Sequence, residues 1–207
     1  MHYQQENTMN YLAHAYLSFK DPGLLIGNMV GDFVKGNQLL RYPESIQNGI
    51  LLHRQIDTFT DAHRVVLTSK KVFHGAVGRY DGAFLDVAYD YFLANAPSIL
   101  PEEDWRRLVA RTYDTIEMHL GILPASFQRM FSYMENGDWL YNYRFAWQIE
   151  RSFKGLAQRA KYLDDSVNPF AGFEENFAYL ERSFSTFFPE LEDFVIGWIQ
   201  KNHISLQ

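Results

Sequence analysis

Cysteine is absent from the 207 residues. That removes disulfides and thiolate metal sites together, so any bound metal has to be held by His, Asp, Glu or backbone oxygen. The absence is compatible with a reducing compartment, and a cytoplasmic location is the expectation. Basic residues are in the minority: 19 Lys+Arg against 25 Asp+Glu leave a formal charge of -6. Such a balance argues against a protein that reads nucleic-acid phosphates over a broad basic face. No apolar stretch reaches ~18 residues without a Gly, an Asn or a charge, so no membrane span is expected. Residues 1–8 lack the basic start and apolar middle of a signal peptide. Linkers, low-complexity tracts and repeats are also missing, which leaves one domain as the simplest organisation.

Aromatic residues are plentiful instead. The 17 Phe, 13 Tyr and 4 Trp supply enough apolar area for a core without covalent staples. Chain breaks fall at Asp21-Pro22-Gly23, Tyr42-Pro43, residues 97–101, Leu123-Pro124, Asn168-Pro169 and Pro189. Pro43-Glu44, Pro101-Glu102-Glu103 and Pro189-Glu190 each read as the first turn of a helix. Between the breaks apolar residues recur at three and four, as in Trp105, Leu108, Val109, Thr112 and Ile116, then Phe145, Ile149, Phe153, Leu156 and Ala160. Asn48-Gly49, Asp81-Gly82 and Asn136-Gly137 lack the alternating flanks of a hairpin. Asp81 reads as a helix cap and Gly137 as a helix end. The expectation is an all-α fold of about nine or ten helices.

His53, Asp57 and Asp61 stand four apart, within about an 80° arc of one helix face. Ile46 and Ile50 precede them on the same stripe. An ionisable stripe that prolongs an apolar one points toward the protein, where a carboxylate must be paired, hydrogen-bonded or bound to a cation. A solvated face with a chance His is the plain alternative. Asp86 and Asp90 repeat the spacing on a segment whose Ala83, Val87, Leu93 and Ala94 share their side. Like charges one turn apart repel, so a cation, or bonds to Arg, Tyr or backbone, must hold them. His14 lies in an apolar first helix. Asp32 closes the small-residue run Gly27-Asn28-Met29-Val30-Gly31-Asp32, where a backbone or ligand can approach closely. These two His and five Asp form an oxygen-rich donor set. It suits Mn²⁺, Mg²⁺ or six-coordinate iron better than structural zinc.

The blocks Met9-Asn10-Tyr11-Leu12-Ala13-His14, Gly27-Asn28 through Asp32-Phe33-Val34-Lys35-Gly36, His53-Arg54-Gln55-Ile56-Asp57 with Thr60-Asp61, and Asp86-Val87 with Asp90-Tyr91-Phe92-Leu93 closely resemble the acyl carrier protein phosphodiesterases. A looser likeness continues through Trp139-Leu140, Tyr143-Arg144 and Phe187-Phe188-Pro189. The resemblance starts at Met9, so residues 9–207 are expected to form the domain, with 1–8 an extension before the native initiator. It implies an all-helical relative of the HD-like phosphohydrolases, although their adjacent His-Asp pair is replaced here by His53-Arg54 and Asp57. It further implies hydrolytic release of 4′-phosphopantetheine from the serine of holo-acyl carrier protein with a divalent ion, Mn²⁺ favoured. On that reading His53, Asp32 and Asp57 are the first choices as ligands. Asp86 and Asp90 either contribute to the site or hold ligands in place, and His14 joins the ligand set. An ionised Asp outside the metal shell, Asp61 among the candidates, would orient the attacking water. Arg54 would clamp phosphate or pair with one of the five Asp.

Two alternatives keep the same fold: a phosphohydrolase acting on a nucleotide or other small phosphoester, and a non-catalytic protein binding a carrier protein or a lipid-like chain. Trp139, Tyr141, Tyr143, Phe145 and Trp147 would either line an apolar groove or belong to the core. Carrier proteins are acidic around the modified serine, so docking would need local cations. The candidates are Lys35, Arg41, Arg54, Arg144, Arg151 and Arg159, the last three on one helical stripe.

Overall fold

A computed structural model of the chain describes residues 11–160, 163 and 167–206. The expected extension at residues 1–8 lies outside them. Among the described residues there are twelve α-helices, four 3₁₀ turns and no strand. The helices are α1 (Tyr11–Tyr16), α2 (Pro22–Val30), α3 (Glu44–Ala62), α4 (Arg64–Ser69), α5 (Lys71–Val77), α6 (Asp81–Ala94), α7 (Glu102–His119), α8 (Ala125–Asn136), α9 (Trp139–Asn142), α10 (Ala146–Arg159), α11 (Pro169–Glu175) and α12 (Phe177–Lys201). The all-α expectation holds. The count exceeds nine or ten because α1, α4 and α9 have six residues or fewer, too few to show a period. No helix among the described residues is long and apolar enough to cross a membrane.

Proline sets several helix starts. Pro22 opens α2 behind Asp21, whose carboxylate accepts the Leu24 amide at 2.8 Å and so satisfies one orphan donor of the first turn. Pro43, Pro101 and Pro124 immediately precede α3, α7 and α8. Pro189 departs from expectation, because α12 runs straight through it. An interior proline costs about 3 kcal/mol. Here the buried Phe184, Phe187 and Phe188 before it and Leu191 and Val195 after it anchor both halves in one core, and their burial outweighs the break. Asp81 is not a cap either. It is the first residue of α6, Tyr80 precedes it at the cap, and its carboxylate pairs with His74 Nδ1 at 2.9 Å. Gly137 does end α8.

Two contacts set the position of the site. Helices α2 and α3 pack with their backbones almost touching: a Cβ on Gly49 would lie 2.8 Å from Gly27 Cα. Only glycine at both places permits this approach. Helix α1 rests on α2 and on α6. The rings of α5, α6, α10 and α11 then fill the opposite side of α6, with Phe84 against Phe153 at 5.0 Å and Phe153 edge-on to Phe73 at 5.6 Å. The 139–147 aromatics divide. Tyr143 is buried, whereas Phe145 and Trp147 are exposed and stack on each other.

Candidate active site

Asn28 organises the site. It is a fully buried amide on the apolar helix α2, and its Nδ2 donates to the His14 carbonyl at 3.0 Å and to Ser18 Oγ at 3.1 Å. Those donations fix the other amide atom as an acceptor, so His14 Nδ1, 2.8 Å from Asn28 Oδ1, must carry a proton. The backbone carbonyl of Asn28 lies 2.9 Å from His53 Nδ1 and can only accept, so that nitrogen is protonated as well. One residue thus sets both tautomers and turns both Nε2 atoms the same way. The two rings stack with centroids 4.3 Å apart. Gly31 makes room, since a Cβ there would run into the His53 ring.

Carboxylates meet both Nε2 atoms. His53 Nε2 is 3.2 Å from Asp32 Oδ1 and 3.2 Å from Asp57 Oδ2. His14 Nε2 is 3.4 Å from Asp57 Oδ1 and, although buried, has no hydrogen-bond partner. Asp32 sits on the 3₁₀ turn Gly31–Phe33 directly after α2, and Asp57 lies one turn beyond His53 on α3. With Nδ1 already protonated, a neutral His53 would aim a lone pair at two carboxylates. A positive charge has to sit there, either a second proton or a cation. Without a cation the proton wins: burial opposes ionisation, yet Asp32 and Asp57 push His53 up to about 9. Asp57 responds in the other sense. Burial works against its charge, but the His14 and His53 imidazoles hold it below the usual carboxylate range.

The remaining acids differ in what they do. Asp86, on α6 and half-buried, is pushed well above the carboxylate range by burial and then by Asp57, Asp90, Asp61 and Asp32, which sets it against the same acidic hollow. Asp61 is exposed one turn past Asp57 and is raised by burial and by Asp57. Asp90 stands outside the cluster of His14, His53 and Asp57. It is fully buried, and its two oxygens accept the Leu12 and Ala13 amides at 3.1 and 3.0 Å, so it anchors the first turn of the helix that carries His14. Burial raises Asp90 to about 8 against the pull of those two amides.

The expected basic residues scatter. Arg54 Nη2 donates to the Val34 carbonyl at 3.0 Å, pinning the segment after Asp32 to α3. The partner here is a backbone carbonyl rather than one of the five Asp. Lys35 and Arg41 are exposed at either end of the 3₁₀ segment Gly36–Arg41. Arg144 precedes α10, pairs with Glu102 at 3.2 Å and lies over the Trp105 ring at 4.9 Å. It therefore leaves the proposed stripe to Arg151 and Arg159, both exposed on α10. The residue missed by sequence reasoning is Asn28 itself. Its signal was an uncapped Asn amid Leu24, Leu25, Ile26, Met29 and Val30.

One ring nitrogen each of His14 and His53 and one Asp57 oxygen all lie within 4.8 Å of one another. The sequence profile described as acyl carrier protein phosphodiesterase matches residues 9–191. A relative of that name from Photorhabdus laumondii is 30% identical over 182 residues, covering 87% of this chain and 92% of its own. Relatives of the same name from Yersinia pestis and Enterobacter sp. are each 32% identical over 184 residues, covering 88% of this chain and 95% of theirs. No solved structure matches the chain. The profile takes in the His14, Asp32, His53 and Asp57 positions together with Asp86 and Asp90, and the chain belongs to the acyl carrier protein phosphodiesterase family.

Proposed function

We propose that this protein is a metal-dependent phosphodiesterase that releases 4′-phosphopantetheine from the serine of holo-acyl carrier protein. The observation that carries the reading is the convergence of two tautomer-fixed imidazoles and Asp57 on one point, with His14 Nε2 buried and unbonded. A lone pair left unmatched inside a protein is costly, and a divalent cation at that point would satisfy it. His14, His53 and Asp57 would hold the ion, with Asp32 beside them. Nitrogen with hard oxygen suits Mn²⁺ or iron, and Asn28 supplies the outer hydrogen bonds that set ligand orientation. Such an ion, when bound, lowers the pKa of water and offsets negative charge on phosphoryl oxygens.

The protein's own groups handle the protons. Water adds its oxygen to phosphorus while the bond between phosphorus and the serine oxygen breaks. Asp61, exposed one turn past Asp57, would take the proton from water. Asp86, whose surroundings favour its protonated form, is placed to return one to the departing serine oxygen. The products are the phosphomonoester 4′-phosphopantetheine and the apo-carrier protein.

The test is mass spectrometry of holo-carrier protein incubated with enzyme and Mn²⁺. Loss of the prosthetic group as the intact phosphomonoester is expected, with at least a hundredfold lower kcat in His53→Ala. Turnover of a small phosphodiester with none of holo-carrier protein would shift the reading to a small-phosphoester hydrolase. Metal binding without any turnover would make it a binding protein.

A further inference from the structure

A cleft of about 460 Å³ lies between α4 and α12, lined by Arg64, Val65, Thr68, Tyr179, Arg182, Ser183 and Thr186. Its lining holds two guanidinium groups and no carboxylate. Three other arginines of this acidic chain are ion-paired, Arg106 with Glu102, Arg107 with Glu103 and Asp104, and Arg144 with Glu102. Neither Arg64 nor Arg182 is in an ion pair among the described residues, and both are exposed. The cleft is an open trough rather than an enclosed pocket. Arg64 and Thr68, one turn apart, form one wall, and Arg182 and Thr186, also one turn apart, form the other. Val65 and the Tyr179 ring lie between them.

Each wall of the trough is tied to an element that carries one of the acids. Arg64 opens α4 directly after His63 ends α3, three residues beyond Asp61. On the other wall Ser183 Oγ is 2.9 Å from the Tyr89 hydroxyl, and Tyr89 is one turn beyond Asp86 on α6. The trough therefore adjoins α6, which carries Asp86, and the end of α3, which carries Asp61.

We infer that the Arg64–Arg182 trough is the docking surface for an acidic segment of the protein substrate. The inference rests on the reaction proposed above for its choice of partner. An open trough of this size admits a length of polypeptide, with carboxylates reaching an arginine on each side and an apolar residue over Val65 and Tyr179. A small anion would leave most of the trough uncovered. The charge of -6 repels an acidic partner at long range, so attraction must act within about one Debye length of ~8 Å. The two arginines facing one cleft meet that requirement, whereas Arg54 is bonded to the Val34 carbonyl and Arg144 to Glu102.

The experiment measures binding of fluorescently labelled apo-acyl carrier protein by anisotropy at low ionic strength, which needs no turnover. Arg64→Glu/Arg182→Glu is expected to raise Kd and the KM for holo-carrier protein at least tenfold. It should leave kcat, Mn²⁺ affinity and hydrolysis of a small phosphodiester unchanged. Arg64→Gln/Arg182→Gln, milder at two exposed positions, should raise Kd severalfold and flatten its salt dependence. Unchanged binding in both variants overturns the docking surface and leaves the reaction standing. So does competition at the trough by 4′-phosphopantetheine or inorganic phosphate that is lost in the variants, since that marks a small-anion site. Arginine-dependent binding without any hydrolysis would instead keep the surface and sink the proposed reaction.

Discussion

Asn28 uses its side chain to orient His14 and its backbone to orient His53, so changing the side chain separates the two. In Asn28→Leu, His14 Nδ1 loses its acceptor and Ser18 loses a donor, while the His53 contact to the residue 28 carbonyl remains. The expected result is a 10- to 100-fold loss of Mn²⁺ affinity by calorimetry and a stability loss of about 1–3 kcal/mol by denaturant titration. Unaltered affinity would mean that His14 is not a ligand. His53 makes a second prediction, for the metal-free protein. Its folded pKa, about 9, lies above the ~6.5 of an unfolded histidine, so the folded state holds the proton more tightly. The stability this contributes is complete below pH ~6.5 and is lost as pH rises through 9. Solvent at the partly exposed Asp57 discounts it to on the order of 1–2 kcal/mol. Melting temperatures from pH 6 to pH 9.5 should fall for the wild type and stay nearly flat, from a lower start, for His53→Ala.

At the scale of the element, α1 has six residues, too short to persist alone, and Asp90 holds its first turn from α6. Asp90→Asn keeps the shape but turns an amide donor toward the Leu12 or Ala13 N–H. A loss of about 1–3 kcal/mol is expected, with weaker Mn²⁺ binding because His14 moves with α1. A melting temperature within a degree of wild type would falsify this anchoring role. Helix α12 gives the opposite sign. Pro189→Ala, at an exposed position, restores the amide facing the residue 185 carbonyl and should stabilise by about 1–2 kcal/mol, after subtracting the unfolded-state entropy that proline removes. These two positions also mark how far the sequence could be read. The spacing of His53, Asp57 and Asp61 identified a helix face without its tertiary partners, and the same four-residue spacing at Asp86 and Asp90 concealed two different tasks. Asp90 faces the end of another helix, and only the packing of α1 on α6 reveals that. Pro189 was legible as a break because local preference was all there was to weigh, and the rings on both sides of it reversed the outcome.

For the whole molecule the consequence is electrostatic. Asp32, Asp57 and Asp61 all bear on Asp86 in a chain already at -6, and together with burial they raise the cost of ionising it. The hydrophobic core, continuous from α1 to α12, supplies the stability that tolerates this concentration of charge. A divalent cation would convert the repulsion into attraction, and because the site exists only in the folded state, its binding energy adds to the stability of the whole chain. At a free Mn²⁺ concentration a hundred times Kd the added stability is about 2.7 kcal/mol. For a protein of this size that is a rise in melting temperature on the order of 5–10 °C. The rise should vanish in His14→Ala/His53→Ala and reverse on chelation in the wild type. Arg64→Glu/Arg182→Glu, outside the hollow, should keep it in full. Equal Mn²⁺ stabilisation in the double histidine variant would place the cation elsewhere and remove the basis for assigning these imidazoles to a metal.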